Sequence, residues 1–145
     1  MFSEMPYRRR LGACDLNVPL SLLLADDDPN IRRCLKHAVE FDDRLIVQWE
    51  ADNGLQAVAL AQQFHPAVIL IDCQMERMNG IEATRCIRSR DKDVKIVVMS
   101  VYYADREPAL AAGADAFIVK DSGCEVIRHT IYKLLPAITE AEQTE

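Results

Sequence analysis

The chain has 145 residues, half of them hydrophobic, and carries a formal net charge of −6 at pH 7. This length suits one domain with a hydrophobic core, and the apolar fraction excludes a disordered chain. The acidic balance argues against a nucleic-acid-binding surface, and no apolar run approaches the roughly 20 residues that span a bilayer. The five cysteines form no C-x-x-C pair and the first twenty residues lack a secretory apolar core. We therefore expect reduced thiols and a cytoplasmic protein without membrane association.

The first strand and helix are predicted to follow a short tail. Residues 1–18 are polar and aperiodic, and we interpret them as a flexible N-terminal tail. The apolar run at residues 20–25 predicts a buried strand. Asp28 then suits the cap of a helix and Pro29 suits its first turn, so a helix is predicted to begin there.

The middle of the chain predicts two further strands, each followed by a helix. Residues 45–49 predict the second strand, and the turn at residues 52–54 leads into a helix that is predicted to bury Val58 and Ala61. Residues 67–71 form a continuous apolar run and predict the third strand. A helix is predicted to begin after Asn79-Gly80.

The last part of the chain completes the alternation. Residues 95–99 and 116–119 predict the fourth and fifth strands, and the alanine-rich helix between them is predicted to end at Gly113. A final helix is predicted to place five apolar residues on one side: Val126, Ile127, Ile131, Leu134 and Leu135. We expect the domain to cover residues 19–137 and residues 138–145 to form an acidic C-terminal tail.

Five strand–helix units in one chain predict an α/β fold with a parallel sheet and helices on both faces. Right-handed crossovers leave few topologies, of which the flavodoxin-like order 2-1-3-4-5 with five helices is the leading one. In that order strands 1 and 3 are neighbours, and strands 4 and 5 continue beyond strand 3.

Each of four apolar runs ends in a polar residue that could carry chemistry. Asp26 and Asp27 follow the first strand, Asp72 the third, Ser100 the fourth and Lys120 the fifth. In a parallel sheet these groups meet at one edge, where α/β proteins build their sites.

The charges of these groups predict a metal site. Three carboxylates repel one another and Lys120 offsets only one of the negative charges, so a further cation is needed. Carboxylate oxygens suit Mg²⁺, which would also neutralise an incoming phosphoryl group. Carboxylate nucleophiles form aspartyl phosphates in other proteins, and a hydroxyl and an ammonium group can bind the phosphoryl oxygens.

The chain resembles the receiver domains of two-component response regulators, which have a CheY-like fold. The resemblance spans roughly residues 19–137 and is carried by motifs at the strand ends, with their spacing in between. These motifs are Leu24-Ala25-Asp26-Asp27-Asp28-Pro29, Ile69-Leu70-Ile71-Asp72, Met75 through Met78-Asn79-Gly80, Met99-Ser100, Gly113-Ala114-Asp115-Ala116-Phe117 and Val119-Lys120-Asp121. The segment Lys120-Asp121 is similar to the NarL/LuxR-type subfamily.

The resemblance implies a role for each residue of the site. Asp72 is expected to be the phosphoacceptor and a metal ligand, and Asp27 a direct ligand of Mg²⁺. Asp26 is expected to bind the metal through water, and the backbone carbonyl of Gln74 to complete the protein's share of ligands. Ser100 and Lys120 are expected to bind the phosphoryl group. Phe117 stands where the family has the aromatic partner of the switch hydroxyl.

Three residues depart from the pattern of the family. Glu76 stands where Pro is usual, four residues after the acceptor, which changes the charge and shape of that loop. Asp121 replaces a residue that is commonly a cis-proline, and we predict a trans bond because a cis bond without proline costs about 3 kcal/mol. Phe117 lacks the hydroxyl of the common Tyr.

The same residues leave three other functions open. A haloacid-dehalogenase-like phosphatase would use Asp26-x-Asp28 as its nucleophile pair, but Pro29 leaves no room for the hairpin that bears the cap of that family. A flavodoxin-like FMN-binding protein would meet repulsion between its phosphate and residues 26–28. A degenerate receiver would act only as a protein-contact module, and Glu76 is the single residue in its favour.

The expected partners follow from the resemblance to receiver domains. A sensor histidine kinase or a phosphotransfer protein is expected to donate the phosphoryl group, and a phosphorylation-dependent homodimer is possible. We do not expect an enzyme with a separate substrate, although the domain would assist its own phosphorylation and dephosphorylation. DNA binding by residues 1–145 is not expected, because the chain is acidic and shows no recognition helix after Pro136.

Overall fold

A computed structural model of the chain describes residues 19–41 and 43–135. The two predicted tails, residues 1–18 and 138–145, and the predicted domain end at residue 137 lie outside the described residues. The described part forms one parallel sheet of five strands in the order β2-β1-β3-β4-β5. The strands are β1 Leu20–Ala25, β2 Leu45–Ala51, β3 Val68–Asp72, β4 Lys95–Ser100 and β5 Ala116–Val119. The predicted topology is confirmed.

Five α-helices alternate with the strands, as predicted. They are α1 Pro29–Val39, α2 Gly54–Phe64, α3 Gly80–Arg90, α4 Arg106–Ala112 and α5 Cys124–Lys133. Short 3₁₀ turns precede α4 at Tyr103–Asp105 and follow β5 at Lys120–Ser122. Asp28 caps α1 by accepting a hydrogen bond from the backbone N–H of Asn30 at 2.9 Å, with Pro29 in the first turn.

The sheet separates two hydrophobic layers because successive strand side chains point to opposite faces. Leu22 and Leu24 pack on the face covered by α1 and α5, whereas Leu23 and Ala25 pack on the face covered by α2, α3 and α4. The central strand β3 is buried along its whole length. Its carboxyl end therefore lies at the centre of one edge, with helices on both sides.

Two helix faces differ from the sequence prediction. Val126 is 44% exposed, although it was expected on the buried side of the last helix. In α2 the buried residues are Gly54, Ala57 and Ala61, and Val58 is only half-buried. Both differences have one reason: a helix turns by 100° per residue, so neighbours such as Val126 and Ile127 cannot share the centre of a buried face.

Two further observations bear on the sequence predictions. The Lys120–Asp121 peptide bond is trans, as predicted. Among the described helices, none is both long and apolar enough to cross a membrane.

Candidate functional site

The register of the sheet brings the acidic residues together. Ala25 on β1 pairs with Ile71 on β3, so Asp26 and Asp72 follow side by side at the carboxyl edge. On the other side of β3, Asp72 pairs with Met99, which places Ser100 one residue further along β4. Parallel pairing thus converts residues that are distant in sequence into neighbours.

Three carboxylates form a cluster at this edge. Oxygen atoms of Asp26, Asp27 and Asp72 lie within 4.8 Å of one another. Asp26 and Asp72 are buried, with 0% and 3% exposure, whereas Asp27 is exposed to solvent. An all-oxygen donor set with one open side fits a hard divalent cation such as Mg²⁺, which takes few carboxylates and keeps several waters.

Lys120 contacts two of the three acids directly, although β4 and β3 lie between its own strand and β1. Its Nζ donates to Asp26 Oδ2 at 2.9 Å and lies 3.3 Å from Asp72 Oδ2. The long side chain therefore crosses from the end of β5 over the edge of the sheet to β1. Burial lowers the pKa of Lys120, but its hydrogen bond to Asp26 and the charges of Asp72 and Asp26 outweigh burial, so the pKa is raised above its ordinary value.

The Asp72 carboxyl is less acidic than an ordinary aspartate. Burial raises its pKa, and the negative charge of Asp26 raises it further. Lys120 and the backbone N–H of Gln74, which donates to Asp72 Oδ1 at 3.3 Å, act in the opposite direction without cancelling the rise. A carboxylate with a raised pKa holds its charge at a free-energy cost and gains from any cation beside it.

Asp26 is fixed by three groups. Its Oδ1 accepts the backbone N–H of Asp28 at 2.9 Å, and its Oδ2 accepts Lys120. Arg32 on α1 donates to the Asp26 carbonyl oxygen at 2.6 Å. Both carboxylate oxygens of Asp26 already accept hydrogen bonds, so Asp27 is the more open carboxylate of the cluster.

Ser100 is fully buried and its hydroxyl is paired. The Oγ donates to Asp105 Oδ2 at 2.5 Å and accepts the backbone N–H of Tyr102 at 3.0 Å. Asp105 Oδ2 also accepts the side-chain amide of Gln74 at 3.4 Å. The carboxylate of Asp105, in the segment between β4 and α4, thus lies beside the predicted site residues.

Phe117 lies apart from the acidic cluster. It is half-buried on β5, pairs with Val98 and meets the ring of Tyr103 edge-on at 6.4 Å between centroids. Tyr103 itself is 68% exposed. The aromatic pair connects the buried side of β5 to the surface of the segment that follows Ser100.

The loop after β3 is tied to its neighbours by backbone hydrogen bonds. The backbone N–H of Cys73 donates to the Met99 carbonyl at 2.7 Å, and that of Gly80 donates to the Cys73 carbonyl at 2.9 Å. Burial, together with the charge and hydrogen bond of Asp105, raises the pKa of the Cys73 thiol to about 12. This thiol is therefore protonated at neutral pH and does not supply a thiolate.

Glu76 faces a polar hollow beside the cluster. The hollow has a volume of about 250 Å³ and is lined by Asp27, Asp52, Asn53, Glu76 and Arg77. Arg77 adopts a positive φ of 69°, which marks the tight turn of this loop. Glu76 thus adds negative charge near the exposed carboxylate of Asp27, and Arg77 adds positive charge.

Sequence reasoning missed Asp105 and Arg32. Asp105 follows Ser100 by five residues, in a segment without periodicity, so no pattern marked it. Arg32 lies one turn after the cap Asp28, and its spacing only predicted a solvated helix face. The sequence signal for Arg32 would have been a long basic residue in the first turn of a helix that directly follows the acidic end of a strand.

Comparison with known proteins gives one family. The family described as the response regulator receiver domain matches residues 22–132. The chain is 40% identical over 112 residues to protein-glutamate methylesterase/protein-glutamine glutaminase 4 of Myxococcus xanthus, covering 75% of this chain and 32% of that protein. It is 37% identical over 105 residues to the nitrate/nitrite response regulator protein NarL of Escherichia coli, covering 71% of this chain and 49% of that protein. The chain thus spans half the length or less of these two relatives.

Solved structures agree on the fold. The signal receiver domain of a response regulator named NarL from Mycobacterium tuberculosis has a TM-score of 0.77 and 27% identity, covering 81% of this chain and 97% of that one. The receiver domain of a sensor histidine kinase from Pseudomonas aeruginosa PAO1 has a TM-score of 0.73 and 24% identity, covering 81% and 98%. That second structure is described with a magnesium ion coordinated in its active site cleft.

Proposed function

This chain belongs to the response regulator receiver domain family, and on that premise we propose that it accepts a phosphoryl group on Asp72 in a reaction that requires Mg²⁺. The observation that carries the proposal is the buried Asp72 carboxylate beside two further carboxylates and the Lys120 ammonium group. These groups suit a phosphoacceptor because they combine a nucleophilic oxygen, ligands for a divalent cation and a positive charge for phosphoryl oxygens.

The chemical step is a transfer of one phosphoryl group. An Asp72 carboxylate oxygen attacks phosphorus, a new P–O bond forms, and the P–N bond to the donor histidine breaks with its electron pair moving to nitrogen. With acetyl phosphate the broken bond is P–O and the leaving group is acetate. Burial and the charge of Asp26 raise the pKa of Asp72, and a cation beside this carboxylate would offset that cost and keep its oxygen ionised for the attack.

The metal would be held by Asp27 and Asp72 directly, with Asp26 acting through water and the Gln74 carbonyl as a further ligand. When bound, Mg²⁺ supplies the positive charge that offsets the carboxylates and the incoming phosphoryl oxygens. The fit rests on the all-oxygen donor set and its open side at Asp27. The Pseudomonas receiver domain, which is described with magnesium, supports the choice of metal.

Three further residues would convert the modification into a signal. The Lys120 ammonium group is placed to exchange its contact with Asp72 for one with a phosphoryl oxygen. The Ser100 hydroxyl would turn toward the same group, and Phe117 would follow by moving inward. Both residues border the exposed segment with Tyr103, so the change reaches a surface.

The competing functions lack this support. A haloacid-dehalogenase-like phosphatase needs a hairpin after its first acidic loop, whereas α1 begins at Pro29 directly after Asp28. A site for the phosphate of FMN would meet the carboxylates of Asp26 and Asp27 instead of amide and hydroxyl donors. A degenerate receiver would lack part of the acidic cluster, and here all three acids and the lysine are together.

The phosphoryl donor is proposed to be a sensor histidine kinase or a phosphotransfer protein. The relatives are named as regulators of nitrate and nitrite responses and as a methylesterase, and the chain covers 49% and 32% of their lengths. The shared part is the receiver domain, so the acceptor function is the part of their activity that we transfer to this chain.

The direct test is labelling with acetyl phosphate and millimolar Mg²⁺, followed by intact-mass measurement. We expect one phosphoryl group per chain, stable in acid and labile in base, and no labelling of Asp72→Asn. Omitting Mg²⁺ should abolish labelling of the parent protein. Equal labelling of the parent and Asp72→Asn would overturn the assignment of the acceptor.

A further inference from the structure

Asp105 has an unusual contact for a residue at the start of a helix. It is the last residue of the 3₁₀ turn that leads into α4, and its helical backbone angles do not place its side chain to cap the first turn of that helix. Its side chain makes no such capping bond. The carboxylate instead turns toward the end of β4, where Oδ2 accepts the Ser100 hydroxyl at 2.5 Å. The Asp105 side chain is thus used for a contact with the end of β4 and not for a contact within its own helix.

The surroundings of Asp105 direct it at the phosphorylation site. The Gln74 side-chain amide, two residues after Asp72, donates to the same Oδ2 at 3.4 Å. The charge and hydrogen bond of Asp105 contribute to the raised pKa of Cys73, the residue between Asp72 and Gln74. One carboxylate on the β4–α4 segment therefore contacts the loop that carries the acceptor as well as the hydroxyl of Ser100.

The Ser100 hydroxyl has one proton to donate, so it serves one acceptor at a time. In the resting arrangement that acceptor is Asp105. After phosphoryl transfer, the oxygens on Asp72 offer a competing charged acceptor. The two bonds are mutually exclusive, and the free energy of the first opposes formation of the second.

We propose that Asp105 is a positioning residue that holds the Ser100 hydroxyl in the resting orientation and thereby opposes the phosphorylated state. This inference rests on the proposed function of Asp72. It adds a residue that sets the balance between the resting and activated forms, in a segment where sequence patterns gave no indication of one. Asp105 does not touch the reacting atoms and acts through Ser100.

The test is a double-mutant cycle between positions 105 and 100. Each protein is incubated with acetyl phosphate and Mg²⁺, and the rate of phosphoryl gain is followed by intact mass. Asp105→Ala should accelerate the gain about tenfold, because a hydrogen bond to a charged group is worth roughly that factor or more. Asp105→Asn keeps a neutral acceptor and should give a smaller acceleration.

In the Ser100→Ala background, Asp105→Ala should have no effect, since no hydroxyl remains to be held. Glu107→Gln is the matched control, because it removes one exposed negative charge two residues away and should leave the rate unchanged. A cooperative thermal unfolding transition is the check that each variant is folded.

An Asp105→Ala rate within twofold of the parent would overturn the inference. The same acceleration in both backgrounds would also overturn it, because charge removal and not the hydroxyl would then be the cause. If the parent itself is not labelled, the proposed function fails together with the inference. Normal labelling of the parent with an unchanged Asp105→Ala variant refutes the inference alone.

Discussion

At the residue scale, the site concentrates charge that the fold must tolerate. Asp26 and Asp72 are almost fully buried and share one ammonium group, and Asp105 adds another carboxylate beside Gln74 and Ser100. A cluster of acids in a core lowers stability unless cations are present. We infer that these acids serve the chemistry of the site and not the stability of the fold.

Replacing the Asp72 carboxylate should therefore stabilise the unphosphorylated protein. The pKa of Asp72 is raised by burial and by Asp26, so the folded state binds its proton more tightly than the unfolded chain does. Its charge consequently costs stability above the folded pKa, and that cost fades as pH falls through the folded pKa toward the unfolded value. Asp72→Asn should raise the melting temperature at pH 7, with a smaller gain at pH 4.

Calorimetry at both pH values measures this difference. Asp93→Asn, at an exposed position, is the control and should leave the melting temperature nearly unchanged. A lower melting temperature for Asp72→Asn at pH 7 would mean that the contact with Lys120 outweighs burial.

Gly80 is a second residue whose identity the site requires. A Cβ placed there would lie 2.2 Å from the Asp72 carbonyl oxygen and 2.9 Å from the Cys73 Cα, so the backbone of the acceptor loop would have to move. Gly80→Ala should lower the free energy of unfolding by about 3 kcal/mol and slow phosphorylation. Urea denaturation measures the first effect.

Gly123→Ala is the matched control for Gly80→Ala. Nothing lies within 4 Å of its Cβ, although its φ of 103° adds backbone strain. This variant should lose only about 1 kcal/mol. Equal losses for the two variants would show that space at the acceptor loop does not matter.

At the scale of elements, the sequence predicted the order of the strands and helices and the topology of the sheet. The five strand–helix units and the sheet order follow from apolar runs, caps and glycine stops, because these signals are local. The reach of Lys120 to Asp26 was not predictable, since it depends on a side chain crossing two strands. Asp105 escaped for a related reason: its partner Ser100 is fixed by the turn between them and not by a periodic pattern.

Arg88 joins three segments of the chain at the opposite end of the strands from the site. From α3 it donates to the carbonyl oxygens of Gly113 and Val94 at 2.9 and 2.7 Å and to Asp115 at 2.6 Å. Asp115 in turn accepts the backbone N–H of Ile96 at the start of β4. A single fork-shaped group thus holds α3, the loop before β4 and the turn before β5.

Arg88→Lys should lose most of these bonds, because an ammonium group cannot reach several acceptors in a plane. We expect the free energy of unfolding to fall by about 2 kcal/mol, with labelling of Asp72 retained. Arg85→Lys, at an exposed position of the same helix, should change stability by less than about 0.5 kcal/mol. Unfolding in urea distinguishes them, and similar values for both would contradict the structural role of Arg88.

At the scale of the whole molecule, metal binding and stability are linked. A cation that binds only the folded state stabilises it, by about 2.7 kcal/mol at a concentration one hundred times its Kd. Millimolar MgCl₂ should therefore raise the melting temperature, whereas NaCl at equal ionic strength should not reproduce the shift. Asp27→Asn should abolish the response to Mg²⁺ while the variant remains folded, because its side chain is exposed. An unchanged response in that variant would place the metal elsewhere.

The surface beside Ser100 is where a signal could leave the domain. Val101, Tyr102 and Tyr103 are 57%, 59% and 68% exposed, and Tyr103 contacts Phe117 edge-on. Exposed apolar side chains in a row gain free energy when a second protein covers them. Movement of Ser100 and Phe117 on phosphorylation would change the shape of this surface, and a local change of charge would then act at a distance.

We therefore expect phosphorylation to promote association of this chain with itself. Sedimentation velocity of the protein, with and without acetyl phosphate and Mg²⁺, should show a dimer only in the treated sample. Tyr103→Ala and Ser100→Ala should each weaken the dimer, the first by removing contact area and the second by uncoupling it from Asp72. Phe41→Ala, which removes another aromatic ring with 79% exposure, should leave the dimer intact. A phosphorylated protein that stays monomeric would direct the search to a different partner at this surface.

Residues 1–145 should not bind DNA, because the chain carries a net charge of −6. Gel-shift experiments at physiological salt test this expectation, and a shift of the DNA would contradict the expected output.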